Sequence, residues 1–292
     1  MATATSPMLS IFQKGWNFNQ DGPGNRLVYH LQGCNFTCPW CANPEGLEPV
    51  GTLLVNLAKL TPEVCPHGAI NGSLDRAVCR KCAGRECLTV NRNEGVRSSC
   101  TRYATAVLVT EARSARSLFH SGGGVTLSGG EPTLQFAAVR TFLAALNAEG
   151  IHTALETNGS HLRLPELFSL VNTLIVDLKH PDVAAEPVVG HGLANSLVNI
   201  TRAVAAERHP LIRITLIPGF NDTSSDLECF GAFFDTLPQD AFSLELLRFH
   251  EYGLSKWAAC GGEYTFRPEA GGVDFETAIA FFAQRGIAMV RT

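Results

Sequence analysis

The 292-residue sequence has no run of eighteen or more apolar residues, which excludes an obvious membrane-spanning helix. Met1 to Gln13 lacks a basic stretch followed by an apolar core, so no secretory signal is visible and the expected location is cytoplasmic. An excess of charge is missing too. With 23 Lys and Arg against 27 Asp and Glu, the net charge of −4 argues for neither nucleic acid nor a membrane surface as a partner. At 45% apolar and 17% charged, the composition is that of a globular chain, long enough for one large domain or two small ones. Cysteine is scarce beyond residue 100: Cys229, in a helix-like run, reads as a small buried hydrophobe and Cys260 as structural.

Cysteine is concentrated elsewhere, with eight of the ten between Cys34 and Cys100. A secreted disulfide scaffold would be short and carry an export signal, so these thiols point to metal or redox chemistry. The chain divides into three parts. Residues 1–44 hold one strand candidate, 27–31, which runs into the first cysteines. Residues 45–116 are cysteine-rich, charged and short of periodic segments, like an insert folded around metal. From residue 117 onward strands and helices alternate. Segments 124–128, 151–157, 173–178, 211–217, 242–248 and 287–290 read as strands. Segments 136–149, 164–171, 193–207, 227–236 and 274–284 read as helices. This alternation predicts an α/β fold whose parallel strands form a full or partial (β/α) barrel, with chemistry at the C-terminal strand ends. Cys34, Gly129, Gly130, Glu131, Glu156, Thr157, Asn158, Asp177, Lys179 and His250 all follow strands and are expected on one face.

Cys34-x3-Cys38-x2-Cys41 gathers thiolates in one short loop. Soft thiolates suit iron–sulfur clusters, copper(I) or zinc. A cubane on three protein ligands leaves one iron open to a small molecule, whereas a zinc knuckle would borrow a distant fourth ligand. Spacing alone allows both.

The flanking blocks say more. Asp21-Gly22-Pro23-Gly24-Asn25-Arg26 precedes the triplet. Trp40 sits just before its last cysteine, and Asn43-Pro44-Glu45 follows. Ser121-Gly122-Gly123-Gly124-Val125-Thr126-Leu127-Ser128-Gly129-Gly130-Glu131-Pro132 comes next. Leu246 and Leu247, then His250, Gly253, Lys256 and Trp257 complete an LL-x-x-H-x-x-G-x-x-KW pattern. In these blocks and their order the sequence resembles the radical S-adenosylmethionine (SAM) superfamily. Within it, the resemblance is to the activating enzymes of glycyl radical enzymes, of the pyruvate formate-lyase activating kind.

The resemblance implies a partial (β/α)6-type barrel with a small ferredoxin-like iron–sulfur insert at 45–116. It implies a [4Fe–4S] cluster on Cys34, Cys38 and Cys41 whose open iron takes the amino and carboxylate groups of SAM. Gly129, Gly130 and Glu131 would cradle the amino group, Lys179 would meet the carboxylate, and His250 would lie near the ribose. Trp40, Thr157 and Asn158 would complete the cofactor site. Glu156, where the family has Asp, and Asp177 would hold a monovalent cation, and Asp21 would meet the target glycine. The implied oxidoreductase activity is anaerobic. An electron from a flavodoxin- or ferredoxin-type reductant cleaves SAM, and the 5′-deoxyadenosyl radical takes an α-hydrogen from a backbone glycine of a partner glycyl radical enzyme.

In the insert, Cys65-Pro66 resembles the tail of a bacterial ferredoxin motif, Cys79-x2-Cys82-x4-Cys87 a loosened start of a second, and Cys100 its end. In two-cluster ferredoxins the fourth cysteine of each run ligates the other cluster. On that logic Cys65, Cys79, Cys82 and Cys87 hold a second [4Fe–4S] cluster and Cys100 is left over. A competing set replaces Cys65 by Cys100, and a four-cysteine zinc site also fits. Two other functions stay open at this level: a radical SAM reaction on a small molecule, and a non-catalytic iron–sulfur or zinc module for electron transfer or binding. The insert and the His250 block count against the first. Gly129 to Pro132 and Lys179, placed at strand ends, count against the second.

Overall fold

Short apolar runs that end in glycine, proline or Asx turns become the strands, and the amphipathic stretches between them return the chain to the same edge. The structure, a computed structural model, describes residues 6–59, 65–70, 74–82, 84–90 and 95–291. In chain order the elements begin with β1 (Met8–Phe18), β2 (Asn25–Leu31), β3 (Leu53–Val55), α1 (Arg76–Lys81), α2 (Cys87–Val90), β4 (Val96–Ser98), β5 (Thr101–Ala104) and α3 (Thr105–Ser114). Next come β6 (Gly124–Gly129), α4 (Phe136–Ala148), β7 (Thr153–Thr157), β8 (Thr173–Asp177), α5 (Glu186–Val189) and α6 (Leu193–Ala205). The last are β9 (Leu211–Leu216), α7 (Ser224–Phe234), β10 (Ser243–Arg248), α8 (Leu254–Cys260), α9 (Phe275–Gln284) and β11 (Ala288–Met289).

One sheet runs β11-β10-β9-β8-β7-β6-β2-β1-β5. Strand β2 and strands β6 to β11 are parallel, and β1 runs antiparallel to both β2 and β5. β11 and β5 stand at opposite ends of the order, so the barrel is open, the partial form. Pairing of Leu31 with Gly129 and Arg248 with Leu216 brings the C-terminal strand ends to one edge. Helix α4 buries Phe136, Val139, Phe142, Leu143 and Leu146 at helical spacing against the sheet. Each such side chain contributes roughly 1.5–3 kcal/mol by leaving water. α7 starts on a capping box between Thr223 and Asp226.

Three expectations need correction. Residues 1–44 hold two strands, because β1 pairs along β2; a register shift between Ile11 and Gln13 and the polar Gln13, Lys14 and Gly15 break the alternation that would have marked it. Residues 101–114 belong to the main body: β5 pairs with β1 and α3 carries buried Leu108, Val109 and Ala112 into the main core. The segment at 164–171 is a 3-10 helix, Leu164–Leu170, with a proline in its first turn. Between residues 53 and 98, β3 and β4 form an antiparallel pair beside a small nucleus of Leu53, Ile70, Cys87 and Val96.

Candidate active site

The first cysteines sit where β2 leaves the sheet. Buried Gln32 fixes the exit, its Nε2 donating to the carbonyls of Glu45 (2.8 Å) and Glu48 (2.7 Å). Gly33 N–H donates to the Gly46 carbonyl (2.7 Å) and Cys34 N–H to that of Leu47 (3.0 Å), closing the loop onto itself. Helix α8 grips the far side. Trp257 Nε1 donates to the Cys41 carbonyl (3.0 Å), and Lys256 Nζ reaches Asn43 Oδ1 (2.8 Å) and Glu45 Oε1 (2.9 Å). Trp40 packs among Phe36, Val189, Leu193 and Ile217, with its ring centroid 4.5 Å from that of Phe220. Burial pushes the Cys34 and Cys41 thiols up and takes Cys38 to about 12, while the nearby Lys179 ammonium counters the shift at Cys38 and Cys41.

These thiols line a cavity of about 310 Å³ at the strand ends, together with Asp21, Trp40, Gly129, Gly130, Glu156, Thr157, Asn158, Asp177, Lys179 and His250. That size lies within the usual range for small-ligand sites. Lys179 is paired to one oxygen of Asp177; burial works against its charge, but Asp177 and the thiols outweigh it and hold the ammonium above its ordinary range. The other oxygen, Asp177 Oδ1, is buried without a partner, as is His30 Nδ1. Both residues line the cavity, and unpaired buried polar atoms fit a ligand that completes their hydrogen bonds. His30 was not singled out in sequence because it sits inside a strand; burial lowers its pKa. His250 stacks on Tyr252 with ring centroids 4.1 Å apart.

Glu131 is not in the cavity. It is fully buried and accepts from Thr133 N (2.9 Å), Thr133 Oγ1 (2.5 Å), Thr157 Oγ1 (2.7 Å) and Asn158 N (2.7 Å). It ties the end of β6 to the end of β7 instead of facing a ligand. Gly130 is required by the protein itself, since a Cβ there would stand 2.2 Å from the Gly33 carbonyl oxygen.

A buried charge network forms one wall. Arg213 bridges Glu156 (Nη1 to Oε1, 2.8 Å) and Glu245 (Nε to Oε2, 2.7 Å) and also donates to the Gln20 carbonyl. Ser128 Oγ donates to Glu156 Oε2 (2.7 Å). Burial, then repulsion by Glu156 and a hydrogen bond shared with it, raises Asp21 to about 7 against the opposing pull of Arg213 and Asn17. Burial would raise Glu156 as well, but Arg213 and Ser128 hold it below its ordinary value, so the shared proton resides on Asp21. Glu156 is a poor ligand for a monovalent cation: both of its oxygens are engaged and Arg213 already compensates its charge. Arg213 was missed in sequence because its partners lie 57 and 32 residues away.

Residues 28–227 match the radical SAM superfamily model. The chain is 29% identical over 291 residues to the 4-hydroxyphenylacetate decarboxylase activating enzyme of Clostridioides difficile (strain 630), covering 92% of this chain and 91% of that one. It is 32% identical over 257 residues to the isethionate sulfite-lyase activating enzyme of Nitratidesulfovibrio vulgaris, covering 81% and 82%. The chain belongs to the radical SAM superfamily, among the activating enzymes of glycyl radical enzymes. A similar fold is seen in Streptococcus suis SuiB bound to precursor peptide SuiA, with TM-score 0.51 at 12% identity over 90% of this chain and 48% of that one.

In this radical SAM chain residues 65–87 bring four thiols together. Cys65, Cys79, Cys82 and Cys87 line one small cavity, with Leu53, Val78, Ala69 and Pro66 around them. Burial raises Cys79 and Cys87, and repulsion from the neighbouring thiols adds to it. Backbone N–H groups point at two of the sulfurs, Ala69 N to Cys65 Sγ (3.4 Å) and Arg85 N to Cys82 Sγ (3.3 Å). Cys100 is not among them; its Cβ lies close to Gly51.

Proposed function

We propose that this activating enzyme binds a [4Fe–4S] cluster on Cys34, Cys38 and Cys41 and SAM in the cavity beside it, and installs a glycyl radical in a partner enzyme. When bound, cluster and SAM supply the 5′-deoxyadenosyl radical by one-electron reduction and carbon–sulfur cleavage. The protein's own residues place and shield that chemistry. Lys179 offers its ammonium to the cofactor carboxylate, Asp177 Oδ1 accepts from cofactor donors, His30 Nδ1 pairs with a polar group of the cofactor, and Trp40 closes the apolar side. Protonated Asp21 presents a neutral carboxyl toward the incoming glycine segment, so that a backbone amide meets no buried negative charge there.

The observation that carries the reading is the convergence of buried thiols, Lys179 and unpaired polar atoms on one cavity at the strand ends. Soft thiolates in a set of three and a set of four suit cubanes at both sites. Cys65, Cys79, Cys82 and Cys87 are the proposed ligands of the second cluster, in an insert now bounded at about residue 100. The reductant is a flavodoxin- or ferredoxin-type carrier. Among the described residues no helix is long and apolar enough to cross a membrane, and a cytoplasmic site of action is the corresponding proposal.

The test is anaerobic reconstitution of wild type and Cys34→Ala with a SAM-cleavage assay. Wild type is expected to release 5′-deoxyadenosine and the variant none. Zinc in place of iron, or no 5′-deoxyadenosine from wild type, overturns the reading.

A further inference from the structure

Helix α8 starts against the cysteine loop. A Cβ on Gly253, the residue that caps its first turn, would stand 2.5 Å from the Cys41 carbonyl oxygen. Lys256, half-buried in that first turn, reaches the chain that follows Cys41. Its Nζ donates to Asn43 Oδ1 at 2.8 Å and pairs with Glu45 Oε1 at 2.9 Å. The Asn43 N–H in turn points at Cys41 Sγ, 3.4 Å away.

Glu45 is a buried carboxylate, and its Oε2 has no hydrogen-bond partner among the described residues. A buried carboxylate is costly without a compensating cation, and Lys256 supplies one at Oε1. The two charges act on the third cysteine with opposite sign. Lys256 and the Asn43 N–H favour negative charge on the Cys41 sulfur, and Glu45 opposes it. Lys256 thus has two effects at one place: it orients the residue that aims an N–H at a sulfur, and it offsets the anion nearby.

We propose that Lys256 is a positioning residue that raises the reduction potential of the iron–sulfur centre at Cys41, by holding the Asn43 N–H on the sulfur and by offsetting Glu45. The proposal rests on the reading of Cys34, Cys38 and Cys41 as cluster ligands. Reduction by one electron adds one negative charge to such a centre; no bond forms or breaks and no proton moves. Hydrogen bonds to the sulfurs and a nearby positive charge favour that added charge, and a nearby carboxylate disfavours it. Lys256 therefore acts on how readily the centre accepts the electron that SAM cleavage requires, and does so from a helix more than 200 residues further along the chain.

The experiment is an anaerobic redox titration of the reconstituted holoprotein, followed by electron paramagnetic resonance. The reduced signal that changes on addition of SAM marks the centre at Cys41 and separates it from any centre on the insert thiols. At the wild-type midpoint, Lys256→Met should show a reduced-to-oxidised ratio ~10-fold lower, equal to ~59 mV for one electron. Lys256→Arg, which keeps the charge, should fall by less. Glu45→Gln removes the opposing charge and should move the ratio the other way. An unmoved midpoint in Lys256→Met overturns the proposal. So does a shift in the same direction in Lys256→Met and Glu45→Gln, which would mark a loosened loop and not a charge effect. Should Lys256→Met retain no iron, the upward shift in Glu45→Gln decides, and its absence overturns the proposal. A wild type with no SAM-responsive signal removes the cluster reading itself, and the proposal with it.

Discussion

Glu131 follows two glycines that face the cavity, yet its carboxylate turns inward and links Thr133 to Thr157 and Asn158. Replacing it by Gln swaps one acceptor for a donor among groups that all donate. A loss of about 1–3 kcal/mol is expected, read as a lower denaturation midpoint, together with weaker SAM binding in calorimetry. An unchanged midpoint would contradict this account. The motif was legible in sequence but its division of labour was not, because a residue's side of the backbone depends on which strand end it must reach. Asp21 supplies a pH prediction. Its native value of about 7 lies above its ordinary 3.8, so its stabilising proton is retained at low pH and lost as pH rises through 7. Between pH 5 and 7 this single group is expected to lower stability by up to about 1.4 kcal/mol per pH unit as pH rises. Thermal melts across that range should show the slope in wild type relative to Asp21→Asn, and parallel curves would refute it.

At the scale of elements, the parallel strands and most helices follow from hydrophobic period and glycine stops. β1 and β5 do not, because each is defined by its antiparallel partner. β5 also follows Cys100 directly, which draws it into the insert by composition alone. The role of α8 was likewise hidden. Its lysine and tryptophan are legible as a motif, but their targets, Asn43, Glu45 and the Cys41 carbonyl, lie more than 200 residues earlier. Trp257→Phe keeps an aromatic ring, smaller than the indole, and removes the bond to Cys41. The variant should lose about 1 kcal/mol of loop stability and release iron to a chelator faster than wild type. Equal release rates would mean the bond does not hold the loop.

For the whole molecule, the cysteines make a stoichiometric prediction. Wild type and Cys100→Ala should both bind about eight irons per chain, and Cys79→Ala about four, since each cubane contains about four. A drop in Cys100→Ala with none in Cys65→Ala would favour the ligand set in which Cys100 replaces Cys65. The spread of α8 contacts carries a consequence for biogenesis. The wall behind Cys41 is made by Lys256 and Trp257, which leave the ribosome long after the cysteines they enclose. The thiol loop therefore emerges unwalled and stays so through most of translation. If that wall is needed to hold iron, loading waits until nearly all of the barrel has been synthesised.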